Sequence, residues 1–390
     1  MHHFPYWRLS AYYFFYFAFL GVFSPYFGLY LQSLSFSAWD IALLMSQMML
    51  MRLFGPYLWG ALADRFGQKL PIIRLTSLMA LIAFAAFFFI SRFEAFLVAM
   101  AVLAFFWVAA LPLVEALTFD HLGENSARYS RIRLWGSIGF IAAVLGTGTL
   151  LDHLPLPNLL WVSAAALAGI LLCALLVPES PAHHHAADEP QPVGEILRQP
   201  RVRALLAACI AMSAAHGALN IFYSIFLSDH GYSKSVVGGL WTLGVLSEIA
   251  VFFFMSRLLR RFSLRTILLA SFSAAVVRFV MIGWGVEFPL VLVLAQLLHG
   301  LTFGSFHAAA IAAINRWFPG RTRSRGQALY SSLTFGAGGL LGGLVSGWTW
   351  DHLGSELTFA LSSIYALIGL VLVAGWIREQ DVDEGNVLQH

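Results

Sequence analysis

The chain has 390 residues, 59% of them hydrophobic and 11% charged, with a formal net charge of +3. Soluble globular chains run at about 45–50% and about 25% on those two measures, so a water-soluble fold is excluded. An aromatic share of 15% excludes a disordered one. The basic excess carries no sign of nucleic-acid binding, because Lys and Arg fall where membrane topology places them, and Cys173 and Cys209 sit in apolar runs that predict neither a disulfide framework nor a redox pair.

A hydrocarbon core of about 30 Å needs about 20 apolar residues per helix. Twelve such windows follow one another, at 8–33, 39–62, 71–91, 94–120, 133–151, 157–178, 203–228, 236–256, 266–286, 288–315, 327–350 and 356–377. The first outruns the about 7–15 apolar residues of a signal peptide and shows no cleavage pattern before Gln32, so it reads as a membrane span. The inter-span segments on one side carry nineteen Lys and Arg, and those on the other carry only Arg92 and Lys234. Positive charge is retained in the cytoplasm, so both termini are expected there, in a bacterial-type inner membrane. The two remaining basic residues, Arg52 and Arg278, fall inside the second and ninth windows.

The least apolar stretch, Glu179 to Pro200, contains five prolines counting Pro178 and the run His183 to His185. It reads as a solvated linker rather than a metal site, since nothing nearby completes a ligand set. The expected organisation is a six-helix bundle over 1–178, a cytoplasmic linker over 179–200, a second six-helix bundle over 201–378 and a cytoplasmic tail over 379–390. A shift of 196 residues supports duplication. It lays Leu29-Tyr30-Leu31 on Ile225-Phe226-Leu227, Asp64-Arg65-Phe66 on Arg260-Arg261-Phe262, and Lys69 on Arg265. The same shift sets Arg52 against Glu248.

After the second window the chain reads Gly60-Ala-Leu-Ala-Asp64-Arg65-Phe-Gly67-Gln-Lys69. This resembles the signature of the major facilitator superfamily. The resemblance implies an all-α integral membrane fold of twelve helices in two pseudo-symmetric six-helix bundles that rock about a central site. It also implies that Gly60, Asp64, Arg65, Gly67 and Lys69 form a conformational gate. In that gate Gly60 and Gly67 permit close approach and a tight turn, while Asp64 faces the N-terminal end of helix eleven near Gly326. Arg133-Leu-Trp-Gly-Ser137, Leu240-Trp-Thr-Leu-Gly-Val-Leu-Ser-Glu248 and Gln296-Leu-Leu-His299 with His307 resemble the 3-phenylpropionic acid transporter family, itself similar to the lactose permease and nucleoside symporter group. That resemblance implies proton-coupled uptake of a small solute, with an aromatic carboxylate as the leading candidate. It further implies roles for Glu248, Arg278 and His299, which match that group's glutamate, arginine and histidine. Where the group carries a carboxylate three residues after the histidine, this chain has Thr302.

The residues speak independently of the resemblance. A charge at mid-membrane costs at least about 2.5–3.5 kcal/mol, so Arg52, Glu115, Glu248 and Arg278 are expected to face the bundle interior. Two readings of the arginines stand side by side, a fork for a substrate carboxylate and a structural ion pair with Glu115 or Glu248. Glu115, Glu248 and His299 are the candidate proton carriers, because a carboxyl that gains and loses an arginine partner exchanges a proton. His216 and Asn220 share a polar stripe with Tyr223, and His299 and His307 lie about 80° apart at 100° per residue, near enough to line one cavity. Tyr16 and Trp241 lie deep enough to stack on an aromatic solute, and the Gly336 to Gly343 run suits close helix packing. Import is favoured over export because Gly136 to Asp152 lacks the glycine-proline signature of the superfamily's drug antiporters. An exporter of drug-like compounds and a nucleoside or sugar symporter are the alternatives, with a membrane-embedded enzyme a distant third. No enzyme activity, cofactor, metal or nucleic-acid partner is expected. The expected partners are the solute, protons and the bilayer, around a monomer.

Overall fold

The computed structural model describes residues 4–123, 128–179 and 193–378, so the histidine run and the tail lie outside the described residues. Among the described residues every regular element is helical. The reason is the solvent: the bilayer core offers no hydrogen bonds, and a helix satisfies its backbone within its own segment. Among the described residues twelve helices are long and apolar enough to cross a membrane. In chain order, spans one to six are Tyr6–Ser33, Ala38–Phe66, Leu70–Phe88, Phe93–Leu122, Tyr129–His153 and Asn158–Leu176. Spans seven to twelve are Pro200–Asp229, Lys234–Arg261, Leu264–Trp284, Pro289–Trp317, Arg323–Leu353 and Ser355–Trp376. A short helix, Gly194–Arg198, precedes span seven.

The spans start and stop for local reasons. Ser37 opens span two with a capping box, its hydroxyl accepting from the Asp40 N–H at 3.1 Å while the Asp40 carboxylate accepts from the Ser37 N–H at 3.2 Å. Ser263 caps span nine through the Thr266 N–H. Span two closes on Gly67, whose φ of +65° places it in the left-handed region that favours glycine. Spans two and eight run beyond the apolar windows to Phe66 and Arg261. Their terminal arginines reach outward on long stems and suit the negative end of the helix, so these charges do not end it.

Three spans are interrupted. Span seven is helical over Pro200–Ala215 and again over Gly217–Asp229, with His216 at the turn between. Span ten contains a π-helical turn at Gly300–Ser305, and span eleven contains one at Ser332–Gly338. Such turns leave backbone groups to be satisfied from the side and recur at functional sites.

The chain divides into two compact units. One holds spans one to six together with Ile221–Gly239, and the other holds span seven up to Asn220 and the chain from Leu240 onward. In the first unit span one packs on spans five and six, and span three on spans four and six. In the second, span seven packs on spans eleven and twelve, and span nine on spans ten and twelve. Each of these four pairs in the first unit becomes one of the pairs in the second on adding six, which is the packing expected of a duplicated unit. The glycines of span eleven set one of these pairs. A Cβ at Gly338 would lie 2.6 Å from the Ile210 carbonyl, and Gly342 faces the backbone of Ala214 and Gly217.

Candidate functional site

Arg278, on span nine, is 0% exposed. Its Nε donates to the Ala295 carbonyl at 2.8 Å, its Nη1 to Thr302 Oγ1 at 3.0 Å and to His216 Nε2 at 3.3 Å, and its Nη2 to Gln296 Oε1 at 3.3 Å. The irregular backbone makes this possible. Ser247 of span eight pushes its hydroxyl into span ten, accepting from the Gly300 N–H at 2.9 Å and lying 3.2 Å from the Gln296 carbonyl that would ordinarily close that turn. The ladder opens there, and Arg278 takes the neighbouring carbonyl. His216, at the break in span seven, pairs its Nδ1 with the Met212 carbonyl at 2.8 Å. A carbonyl and a guanidinium fix the tautomer, because Nδ1 must donate and Nε2 must accept.

Glu248 is brought to the same place by close helix packing. A Cβ at Gly300 would lie 2.5 Å from the Ser247 carbonyl and one at Gly304 would lie 3.3 Å from Glu248 Cγ, so spans eight and ten meet along a groove without side chains. Glu248 Oε2 then lies 3.8 Å from His299 Nε2. His299 Nδ1 is buried with no hydrogen-bond partner among the described residues.

His299 and His307 do not sit apart as ideal helical spacing predicts. The π-helical turn adds a residue, so positions four apart eclipse. His299, Phe303 and His307 therefore form a column of nearly parallel rings, with centroids 5.5 Å and 6.1 Å from Phe303 on either side. His307 closes the column through a 2.7 Å hydrogen bond between Nδ1 and the Tyr330 hydroxyl. Asn220 is half-buried one turn beyond His216, and Trp241 is half-buried two turns before Glu248 on the same helix.

The first unit carries a second polar group. The Tyr129 hydroxyl donates to Glu115 Oε1 at 2.8 Å, and Tyr13 shares a 3.3 Å hydrogen bond with Thr118 one turn further on. Tyr16 stacks on Trp107 with centroids 4.3 Å apart and planes 5° from parallel. Arg133 lies over the Phe17 ring at 3.8 Å. Among the described residues no carboxylate lies in ion-pair range of Arg52, so the pairing of Arg52 with Glu115 that the sequence left open is not formed in this structure.

In the signature loop Gly67 makes a tight turn with φ of +65°, and a Cβ at Gly60 would meet nothing within 4 Å. Asp64 and Arg65 are exposed, and Lys69 pairs with Asp120 of span four at 2.5 Å. Residues that sequence reasoning passed over as site candidates are Gln296, Thr302, Ser247, Tyr129 and Asp120. Their common signal is a polar side chain inside or beside an apolar span, faint next to a formal charge.

The family model described as the MFS_1 like family matches residues 6–361. A "probable 3-phenylpropionic acid transporter" of Escherichia coli (strain K12) is 28% identical over 363 residues, covering 91% of this chain and 94% of that protein. The maltose permease of Geobacillus stearothermophilus is 26% identical, covering 93% of each. A crystal structure of the nucleoside transporter NupG superposes with a TM-score of 0.83 at 18% identity, over 96% of this chain and 99% of that one. With twelve apolar spans and this match over nearly its whole length, the chain belongs to the MFS_1 like family, as a multi-pass membrane transporter of small solutes with the major facilitator fold.

Proposed function

We propose that the chain imports a small aromatic carboxylate together with protons by alternating access. The observation that carries this reading is the fully buried Arg278 beside the Glu248–His299 pair. A guanidinium kept in the membrane among neutral acceptors suits an anionic group, and His299 Nδ1 provides a further polar position next to it. Glu248 and His299 are the groups assigned to the proton, with Glu115 beside its tyrosine as the second carrier. Arg52, Tyr16, Asn220, Trp241 and His307 are assigned to solute contact, and the Gly60 to Lys69 loop to gating. The similar phenylpropionic acid transporter supports the choice of an aromatic acid, while the similar maltose and nucleoside permeases set the competing solutes. The distribution of Lys and Arg supports cytoplasmic termini.

The test is uptake of labelled 3-phenylpropionate into proteoliposomes under an inward proton gradient. Accumulation above equilibrium, abolished by a protonophore, is the expected result. Accumulation of maltose or a nucleoside but no aromatic acid would overturn the solute assignment, and gradient-driven extrusion would overturn the direction.

A further inference from the structure

Outside the Arg278 cluster, the second unit holds a cavity of about 230 Å³ between spans seven, eleven and twelve. Its origin is the joint between the last two spans, which are linked through the single residue Gly354 at a φ of +90°. One turn from that joint the spans meet, with Thr358 Oγ1 3.0 Å from Thr349 Oγ1. One turn deeper the facing positions are Ser346 and Ser362, and a further turn deeper they are Gly342 and Tyr365, small side chains that leave space between the helices. Ala214 of span seven closes the back. A Cβ at Gly342 would lie 2.2 Å from its carbonyl, so the two backbones touch there without filling the void. The lining also includes Ile364, which belongs with Leu357 and Ile368 to an exposed apolar stripe of span twelve, so the cavity opens toward the surface that hydrocarbon solvates.

The lining carries oxygen but no formal charge. Four of its hydroxyls have their protons committed to backbone: Ser346 donates to the Gly343 carbonyl at 2.8 Å, Thr349 to the Val345 carbonyl at 3.0 Å, Thr358 to the Gly354 carbonyl at 2.8 Å and Ser362 to the Thr358 carbonyl at 3.2 Å. A hydroxyl has one proton and two lone pairs, so what remains to these groups is to accept. Tyr365 is half-buried, and its hydroxyl has no partner among the described residues, so it is free to donate. Size sets a second condition. A cavity of about 150 Å³ takes up benzene and drug-sized ligands need at least about 300 Å³, so this one suits a ring with a short chain, about ten non-hydrogen atoms. An ionised group would enter without a counter-charge, so the occupant is neutral. An alcohol or phenol meets all of these conditions, donating its proton to a serine oxygen, accepting from Tyr365 and burying its hydrocarbon among the apolar walls.

We propose that this cavity is a binding site for a small neutral alcohol or phenol taken from the bilayer, held by Ser346, Ser362 and Tyr365. It is distinct in chemistry from the Arg278 cluster, which suits an anion, and it rests on no solute or proton assignment. Ala214 lies two residues before His216, so an occupant packs within one turn of the break in span seven. The test is titration of the purified protein in nanodiscs with 4-propylphenol, read by thermal unfolding, against propylbenzene, which has the same body and no hydroxyl. Saturable stabilisation by 4-propylphenol is expected, with half-saturation by propylbenzene at a concentration at least about ten-fold higher, the loss of two ordinary hydrogen bonds. Tyr365→Phe, which removes only the donor, should raise the half-saturating concentration of 4-propylphenol about five-fold and leave that of propylbenzene unchanged. Ser362→Leu, which fills the cavity, should abolish stabilisation by both probes, and Ser346→Leu serves if that variant fails to elute as a single species. Equal titrations by the two probes, titrations unmoved in every folded variant, or no saturable stabilisation of the parent protein overturns the proposal. The probes are uncharged and no gradient is applied, so failure here is separate from any failure of the solute or proton assignment.

Discussion

Arg52 in the first unit and Arg278 in the second occupy non-equivalent windows of the duplicated pattern, and the difference between them is instructive. Arg278 is sealed from solvent and oriented by acceptors on spans seven and ten, two of them backbone or amide oxygens. Arg52 is half-buried and in ion-pair range of no described carboxylate. A guanidinium held on several sides is pre-organised, and removing it leaves its acceptors without donors. A guanidinium on a loose tether adapts, and removing it costs contact with solute but little fold.

Substitutions at these positions break or sharpen that contrast. Arg278→Gln is expected to have the largest effect, abolishing uptake and lowering stability by about 3–5 kcal/mol, because several buried acceptors lose their donor at once. Thermal unfolding of the purified protein measures it, and Arg278→Lys should fail to restore transport because a point charge cannot serve the same fork. A variant as stable as the parent would remove the distinction. Next, Glu248→Gln is expected to stop gradient-driven accumulation while solute exchange across the membrane continues, which counterflow measures; undiminished accumulation would move the proton to Glu115. Arg52→Gln is expected to raise KM for an anionic solute about ten-fold, to affect a neutral one less, and to change stability by less than about 0.5 kcal/mol. A stability loss as large as that of Arg278→Gln would show the two arginines to be alike. Thr302→Val should cost about 1 kcal/mol, the ordinary value of one hydrogen bond, with transport retained. The smallest effect is expected at Gly60→Ala, within about 0.5 kcal/mol of the parent, since the added methyl meets no neighbour.

Much of this contrast could be read in advance, and the unread part has a definite cause. Arg52, Glu115, Glu248 and Arg278 stand out in apolar windows because an ionised group among some twenty apolar residues is expensive. Which of them meet was beyond sequence spacing, since Arg278 and Glu248 are positioned by glycines and by a serine of span eight that displaces a turn of span ten. His299 and His307 show the same limit. Their separation on an ideal helix is arithmetic, but the inserted π-helical turn replaces that arithmetic and places Phe303 between them. Gln296 and Thr302 look like ordinary polar residues until the Arg278 side chain reaches them.

The sequence alone determined the solvent, the number of spans, the internal repeat and the identity of the buried charges, because each follows from one-dimensional quantities: apolar run length, charge spacing and punctuation. The tertiary structure decided which helix opens its backbone, which charge is sealed and which is left adaptable. Those outcomes depend on how closely two helices approach and whose side chain enters the other's ladder, quantities that exist only once the helices have packed.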